Sequence, residues 1–296
     1  LAVEVIEQTP CDGYTRRKIA YRVEPRLTVP AYVLIPDGGA GTGGDDGASA
    51  RRPAVLALHG HGYGVKAIIG LNPDGTPRTG DPDYQKDFAL ELVRRGFVVA
   101  APELLGFGET RLAEQRDADP ELSSCQRLAP NLLALGRTLL GLRVQQTRRL
   151  LDVLAAMPEV DPLSIGIMGI SGGGMVATYT AALDDRIRAA VVSGYVTRFR
   201  GSILAMHHCI DNYVPGILPI ADLPDIASLI APRPLLLEIG TRDPIFPVRS
   251  ALEAYGDITK VYMLHGALHR FVKDIFHDGH VISGRKAYAW LQANLG

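Results

Sequence analysis

The stretch "GISGGGM", Gly169 to Met175, sets one serine among four glycines directly after the apolar run Ile165-Gly166-Ile167-Met168. A nucleophile elbow, a phosphate cradle and a plain connection can all look like this. Gly169-Ile170-Ser171-Gly172-Gly173 fits G-x-S-x-G, with a strand pattern before it and the helix-forming run Met175 to Leu183 after it. In such an elbow the serine holds an unfavourable backbone conformation at a sharp strand-to-helix turn. The residues two before and two after it approach too closely for ordinary side chains. That requirement explains glycine at both 169 and 173. The first N–H groups of the following helix then face developing negative charge.

The phosphate readings need more than glycine. Gly172-x-Gly174-x-x-Ala177 formally fits a dinucleotide fingerprint, which also requires an acidic residue about 20 positions on, at the end of the next strand. That strand ends at Ser193-Gly194-Tyr195 without a carboxylate, and Asp184 and Asp185 precede it. A phosphate loop of the G-x-x-x-x-G-K type fails because Met175 follows Gly174. Without partners elsewhere in the chain, Ser171 would be only a connection.

Outward from this turn, short apolar runs alternate with helical patterns. Strands are predicted at 54–58, 97–101, 164–168, 187–193, 234–239 and 271–276, and helices at 84–95, 137–157, 172–183, 247–264 and 281–295. Continuous apolar strands separated by helices predict an α/β fold, a mostly parallel sheet with helices on both faces. The segments 16–23 and 27–35 read as an antiparallel hairpin at the start of the sheet. The chain reads as one domain over 1–296, with loop insertions at 37–52 and 72–83, the second either a cover for a pocket or a decorated connection.

Ser171 needs a base, and the base needs a carboxylate to fix its tautomer. On this fold they follow in the order Ser, Asp or Glu, His. The strand at 234–239 runs into "GTRDPIFP", which puts Asp243 at its carboxyl end, where ligand chemistry gathers in such sheets. The strand at 271–276 runs into "HDGHVISG". There His280, past a glycine turn, is preferred to His277, which lies nearer the strand end. His265 and His269 precede that strand and fall at the wrong end of the sheet. Oxyanion donors are expected from the Gly172 N–H and from "LHGHGYG", Leu58 to Gly64, with His61 first and Gly62 next. Tyr63, His207, His208 and Tyr213 are candidate substrate contacts.

Composition narrows the alternatives. With 296 residues, 47% hydrophobic and 21% charged, the chain has ample apolar surface for a core. A net charge of −1 and no long basic block speak against nucleic acid. No apolar run reaches the roughly 20 residues of a membrane helix. Cys11, Cys125 and Cys209 are widely spaced with no C-x-x-C pair, which indicates neither a disulfide framework nor a zinc site. His59 and His61 form an H-x-H pair without a third ligand at useful spacing, so no metal and no cofactor is expected. A reducing, cytoplasmic compartment fits best, with secretion left open because the first residue is Leu rather than Met.

Taken together, "LHGHGYG", "APELLGFGET" (Ala101 to Thr110), "GLRVQQTRRLLDVL", "PEVDPLSIGIMGISGGG", "DNYVPGI" (Asp211 to Ile217), "APRPLLLEIGTRDPIFP" and "FHDGHVISG" resemble the α/β-hydrolase superfamily. Within it the chain resembles bacterial esterases of the dienelactone hydrolase and acetyl xylan esterase group. The resemblance runs from about Ala54 onward. It implies Ser171 as nucleophile, Asp243 as acid and His280 as base, the assignment the topology already suggests. It also implies a small-molecule ester substrate with a short acyl group. The sequence departs from the family at Glu103, where such proteins often carry Asp, and in using serine where a dienelactone hydrolase proper uses cysteine. Another acyl hydrolase, a thioesterase or peptidase, and a non-catalytic binding protein of the same fold are the rival readings.

Overall fold

The computed structural model describes residues 2–38 and 51–296, so most of the insertion expected at 37–52 lies outside the described residues. Strands β1 (Val3–Cys11), β2 (Tyr14–Glu24) and β3 (Leu27–Pro36) form an antiparallel meander. β4 (Arg52–Leu58), β5 (Val98–Pro102), β6 (Val160–Ile170), β7 (Ile187–Ser193), β8 (Leu235–Gly240) and β9 (Phe271–Phe276) follow. They complete a nine-stranded sheet in the order β1-β2-β3-β5-β4-β6-β7-β8-β9. β3 pairs antiparallel with β5, and every neighbouring pair from β5 to β9 is parallel. This is the α/β-hydrolase architecture.

The helices are α1 (Phe88–Val93), α2 (Cys125–Ala134), α3 (Leu139–Ala155), α4 (Gly172–Leu183), α5 (Leu223–Ser228), α6 (Val248–Leu264) and α7 (Ala287–Leu295). Side chains alternate across the pleat, so each strand feeds two cores. From β4, Ala54, Leu56 and Leu58 join Leu150 of α3, Val176 of α4 and Ile258 of α6 on one face. Val55 and Ala57 join Phe88 and Leu92 of α1 and Leu291 of α7 on the other. Each fully buried large apolar side chain contributes about 1.5–3 kcal/mol, so a one-residue slip would be prohibitive.

Three departures from the sequence reading have local causes. β1 adds a third strand to the expected hairpin; it is an edge strand, mostly exposed, and carries no buried alternation to betray it. The helix expected over 84–95 shrinks to Phe88–Val93 because Lys86 and Asp87 both adopt positive φ, 56° and 48°. The last helix starts at Ala287 rather than near 281. Residues before it are bound sideways into the sheet: Ser283 Oγ donates to Asp274 Oδ2 at 2.7 Å, and the Gly284 N–H donates to Glu238 Oε1 at 3.1 Å.

Glu238 lies buried on β8, its Oε2 accepting from Ser193 Oγ at 2.5 Å. Burial pushes its carboxyl up from the ordinary 4.5 to about 7. Between those values the folded chain keeps a proton that the unfolded chain releases, so this group lowers stability as pH rises through the window. The effect amounts to at most about 3 kcal/mol. Glu238→Gln is expected to flatten the fall in stability between about pH 4.5 and 7 relative to the parent. Denaturant melts of both proteins across that range check it; parallel curves would contradict it.

Candidate active site

β6 ends and α4 begins at Ser171, whose φ of 55° and ψ of −122° lie outside the ordinary regions for a residue with a side chain. The turn is pinned from both sides. The Ser171 N–H donates to Ser193 O of β7 at 3.0 Å, and Ser171 O accepts from the Met175 N–H at 2.8 Å. A Cβ at Gly173 would collide with the carbonyls of Leu58 and His59, and one at Gly169 with the backbone of Gly173. Packing of backbone on backbone is therefore what demands glycine at these two positions.

Asp243 and His280 arrive on the loops after β8 and β9. In the turn Asp243-Pro244-Ile245-Phe246, Asp243 Oδ1 accepts from the N–H groups of Ile245 at 3.0 Å and Phe246 at 2.9 Å. The other oxygen, Oδ2, lies 2.6 Å from His280 Nδ1. A buried carboxylate held this way places the ring proton on Nδ1 and leaves the Nε2 lone pair free. Tyr84 and Phe246 both stack with the His280 ring, at centroid distances of 5.5 Å each. Nε2 is buried and makes no hydrogen bond among the described residues, Ser171 Oγ included. Such bonds are often long in free enzymes and tighten around a substrate.

Ser171 and His280 line one cavity of about 260 Å³ with His61, Tyr84, Gly172, His207, His208, Cys209, Asn212, Ile245 and Phe246. His61 comes from the loop after β4, and its carbonyl accepts from Tyr84 Oη at 2.6 Å. It sits against the start of α4, where a Cβ on Gly172 would lie 3.0 Å from His61 Nδ1. Burial draws the His61 pKa down, but Asp211, with Nε2 3.6 Å from its Oδ2, and Cys125 together outweigh this and hold the ring above its ordinary value. His208 packs inward: its Nε2 lies 3.1 Å from both Ser202 Oγ and Ile245 O, and burial lowers its pKa. Three larger surface clefts, of about 540, 680 and 370 Å³, contain neither serine nor histidine among their lining residues, and the first two lie against α3.

The structure separates the other candidates from this cavity. Tyr63 lines a second cavity of about 220 Å³ with Glu103 and Glu109, and its hydroxyl donates to Leu71 O at 3.1 Å. Tyr213 is 42% exposed and donates to Ile203 O at 3.0 Å. His277 is exposed, its Nδ1 3.2 Å from Thr241 Oγ1. His59 is fully buried with both ring nitrogens engaged: Nδ1 lies 2.8 Å from Gly60 O, and Nε2 accepts from the Leu104 N–H at 3.1 Å. Glu103 accepts from the Val65 N–H at 2.9 Å and so ties the two early loops together. The segment 72–83 does not line the Ser171 cavity; Tyr84, just after it, does.

Sequence reasoning missed Tyr84 and Phe246. Phe246 had a signal in "DPIFP", since a turn that caps Asp243 with its own backbone also places the residue at its third step. Tyr84 had none.

The family model described as "Abhydrolase family" matches residues 2–274. YtaP of Bacillus subtilis (strain 168) is 30% identical over 226 residues, covering 73% of this chain and 68% of its own. A solved structure from Bacteroides fragilis NCTC 9343 superposes with a TM-score of 0.76 at 20% identity, over 94% of this chain and 70% of that one. Acetyl xylan esterase 1 from Thermoanaerobacterium sp. JW/SL YS485 superposes with a TM-score of 0.62 at 19% identity, over 99% and 87%. At these identities the two structures speak for the fold.

Proposed function

Because the chain belongs to the abhydrolase family, we propose that it is a serine carboxylic ester hydrolase acting through Ser171, His280 and Asp243. One observation carries this reading. A strained serine at a strand-to-helix turn shares a cavity with a histidine whose Nδ1 is held 2.6 Å from a buried carboxylate. His280 Nε2 takes the Ser171 proton as Oγ attacks the ester carbonyl. The N–H groups of Gly172 and His61 hold the oxyanion, and His280 returns the proton to the departing alcohol. Water then attacks the acyl-serine with His280 again as base, which frees the acid and restores the hydroxyl. Tyr84 and Phe246, stacked with the imidazole, hold its plane through both transfers.

The substrate is a small or short-acyl ester. A cavity of about 260 Å³ falls just below the roughly 300–1,000 Å³ of most ligand sites. It suits an acetyl-type acyl group, and the likeness to an acetyl xylan esterase supports the same size. His207, His208 and Asn212 offer polar contacts to an alcohol such as a sugar. Expected kcat/KM for p-nitrophenyl acetate exceeds that for the octanoate by at least about tenfold, since each misplaced methylene is worth about 1–3 kcal/mol. Faster cleavage of the octanoate would remove the short-acyl assignment. Preference for acetyl-thioesters or peptide anilides over the acetate ester would favour the rival acyl hydrolases.

A further inference from the structure

We propose that His61, Cys125, Cys209 and Asp211 form a structural zinc site behind the oxyanion end of the cavity. The imidazole nitrogen, the two thiol sulfurs and a carboxylate oxygen all lie within 4.8 Å of one another. Four ligands at the usual Zn–S and Zn–N lengths of about 2.0–2.3 Å stand roughly 3.3–3.8 Å apart at the corners of a tetrahedron. Small side-chain rotations therefore close the shell. The donors come from three separate segments. His61 follows β4, Cys125 opens α2, and Cys209 and Asp211 lie between β7 and α5. That dispersal is why no cysteine spacing announced the site.

Two further features favour a cation at this point, and a third orients its donors. The His61 Nε2 is buried and has no hydrogen-bond partner among the described residues, although it is aimed at Asp211. Both cysteines are free thiols. Arg143, fully buried, supplies the surrounding support: Nη1 donates to Asp211 Oδ2 at 2.5 Å and Nη2 to Cys125 Sγ at 3.0 Å. Its Nε and Nη2 are fixed on Leu105 O at 2.9 and 2.7 Å, and Asn212 Nδ2 donates to Asp211 Oδ1 at 3.1 Å. Orienting bonds of this sort accompany metal ligands as a rule.

The charges also close. Zinc enters as the two thiols release their protons to water, leaving two thiolates and one carboxylate against Zn²⁺ and one guanidinium, a neutral buried cluster. Nitrogen and sulfur donors select zinc over magnesium or calcium, and four protein ligands make a closed, structural shell. Zinc at Nε2 also puts the ring proton on Nδ1, the atom facing Gly172. That last consequence rests on the proposed function; the metal site itself does not.

The test reads metal directly. Protein purified without chelator should release about one zinc per chain on denaturation. Chelator-stripped protein titrated with Co²⁺ should show thiolate-to-cobalt charge transfer and intense tetrahedral visible bands. Cys209→Ser should weaken Co²⁺ binding by at least about tenfold and diminish the charge-transfer band. Stripping should also lower the melting temperature of the parent more than that of the variant. Stripped, thiol-reduced parent protein that gives no charge-transfer band overturns the site, and so does a Cys125–Cys209 disulfide in protein purified without air. Full Co²⁺ binding by a Cys125→Ser/Cys209→Ser protein would overturn the ligand assignment. None of these readouts involves ester cleavage, so cobalt binding by a protein that hydrolyses no ester would leave this site standing and remove only the reading of Ser171.

Discussion

Ser171→Ala is expected to lower turnover of p-nitrophenyl acetate by about 10⁶-fold, the loss typical when a nucleophile acting as part of a triad is removed. What remains is the binding and oxyanion stabilisation that the cavity supplies without a covalent step. The substitution is a clean one. Alanine keeps the Cβ and hence the positive-φ backbone of residue 171, and the two backbone bonds to Ser193 and Met175 do not involve the hydroxyl. The variant should therefore melt close to the parent. An organophosphonate should add one group to the parent, at Ser171, and none to the variant. Activity of the alanine protein within tenfold of the parent would dismiss the acyl-serine mechanism.

The second large effect separates two histidines only three residues apart. His280→Ala is expected to cost about 10⁵–10⁶-fold in turnover, because it removes the cavity ring whose Nδ1 is held 2.6 Å from buried Asp243 and whose Nε2 is free to take the serine proton. His277→Ala is expected to stay within about threefold of the parent, as for a surface change of about 0.5 kcal/mol. Its ring is exposed and contacts Thr241. Equal losses at both positions would reopen the choice of base.

The order of elements and the strand ends were legible because both follow from local pattern. β7, α4 and β9 fall where apolar periodicity puts them. Ser171, Asp243 and His280 each stand just past an apolar strand, so a parallel sheet brings the three loops to one edge without knowledge of any side-chain contact. Other features depend on distant partners. The late start of α7 reflects bonds from Ser283 and Gly284 to Asp274 and Glu238, carboxylates on two other elements. The stacking of Tyr84 on His280 joins positions 196 residues apart. The gathering of His61, Cys125, Cys209 and Asp211 is of the same kind, two loops and the start of α2 meeting around Arg143. Side chains that meet only after the sheet has formed leave no period in the sequence.

The backbone at Ser171 sets limits on how this chain can drift. Holding a residue with a side chain at φ 55° and ψ −122° costs of order 1–3 kcal/mol that glycine would not incur. Selection for stability alone would therefore favour glycine at 171, and only a use for the hydroxyl opposes it. A lineage released from that use gains stability when serine is replaced by glycine. The position thus acts as a ratchet: once the hydroxyl is lost, its return must climb against the stability of the fold.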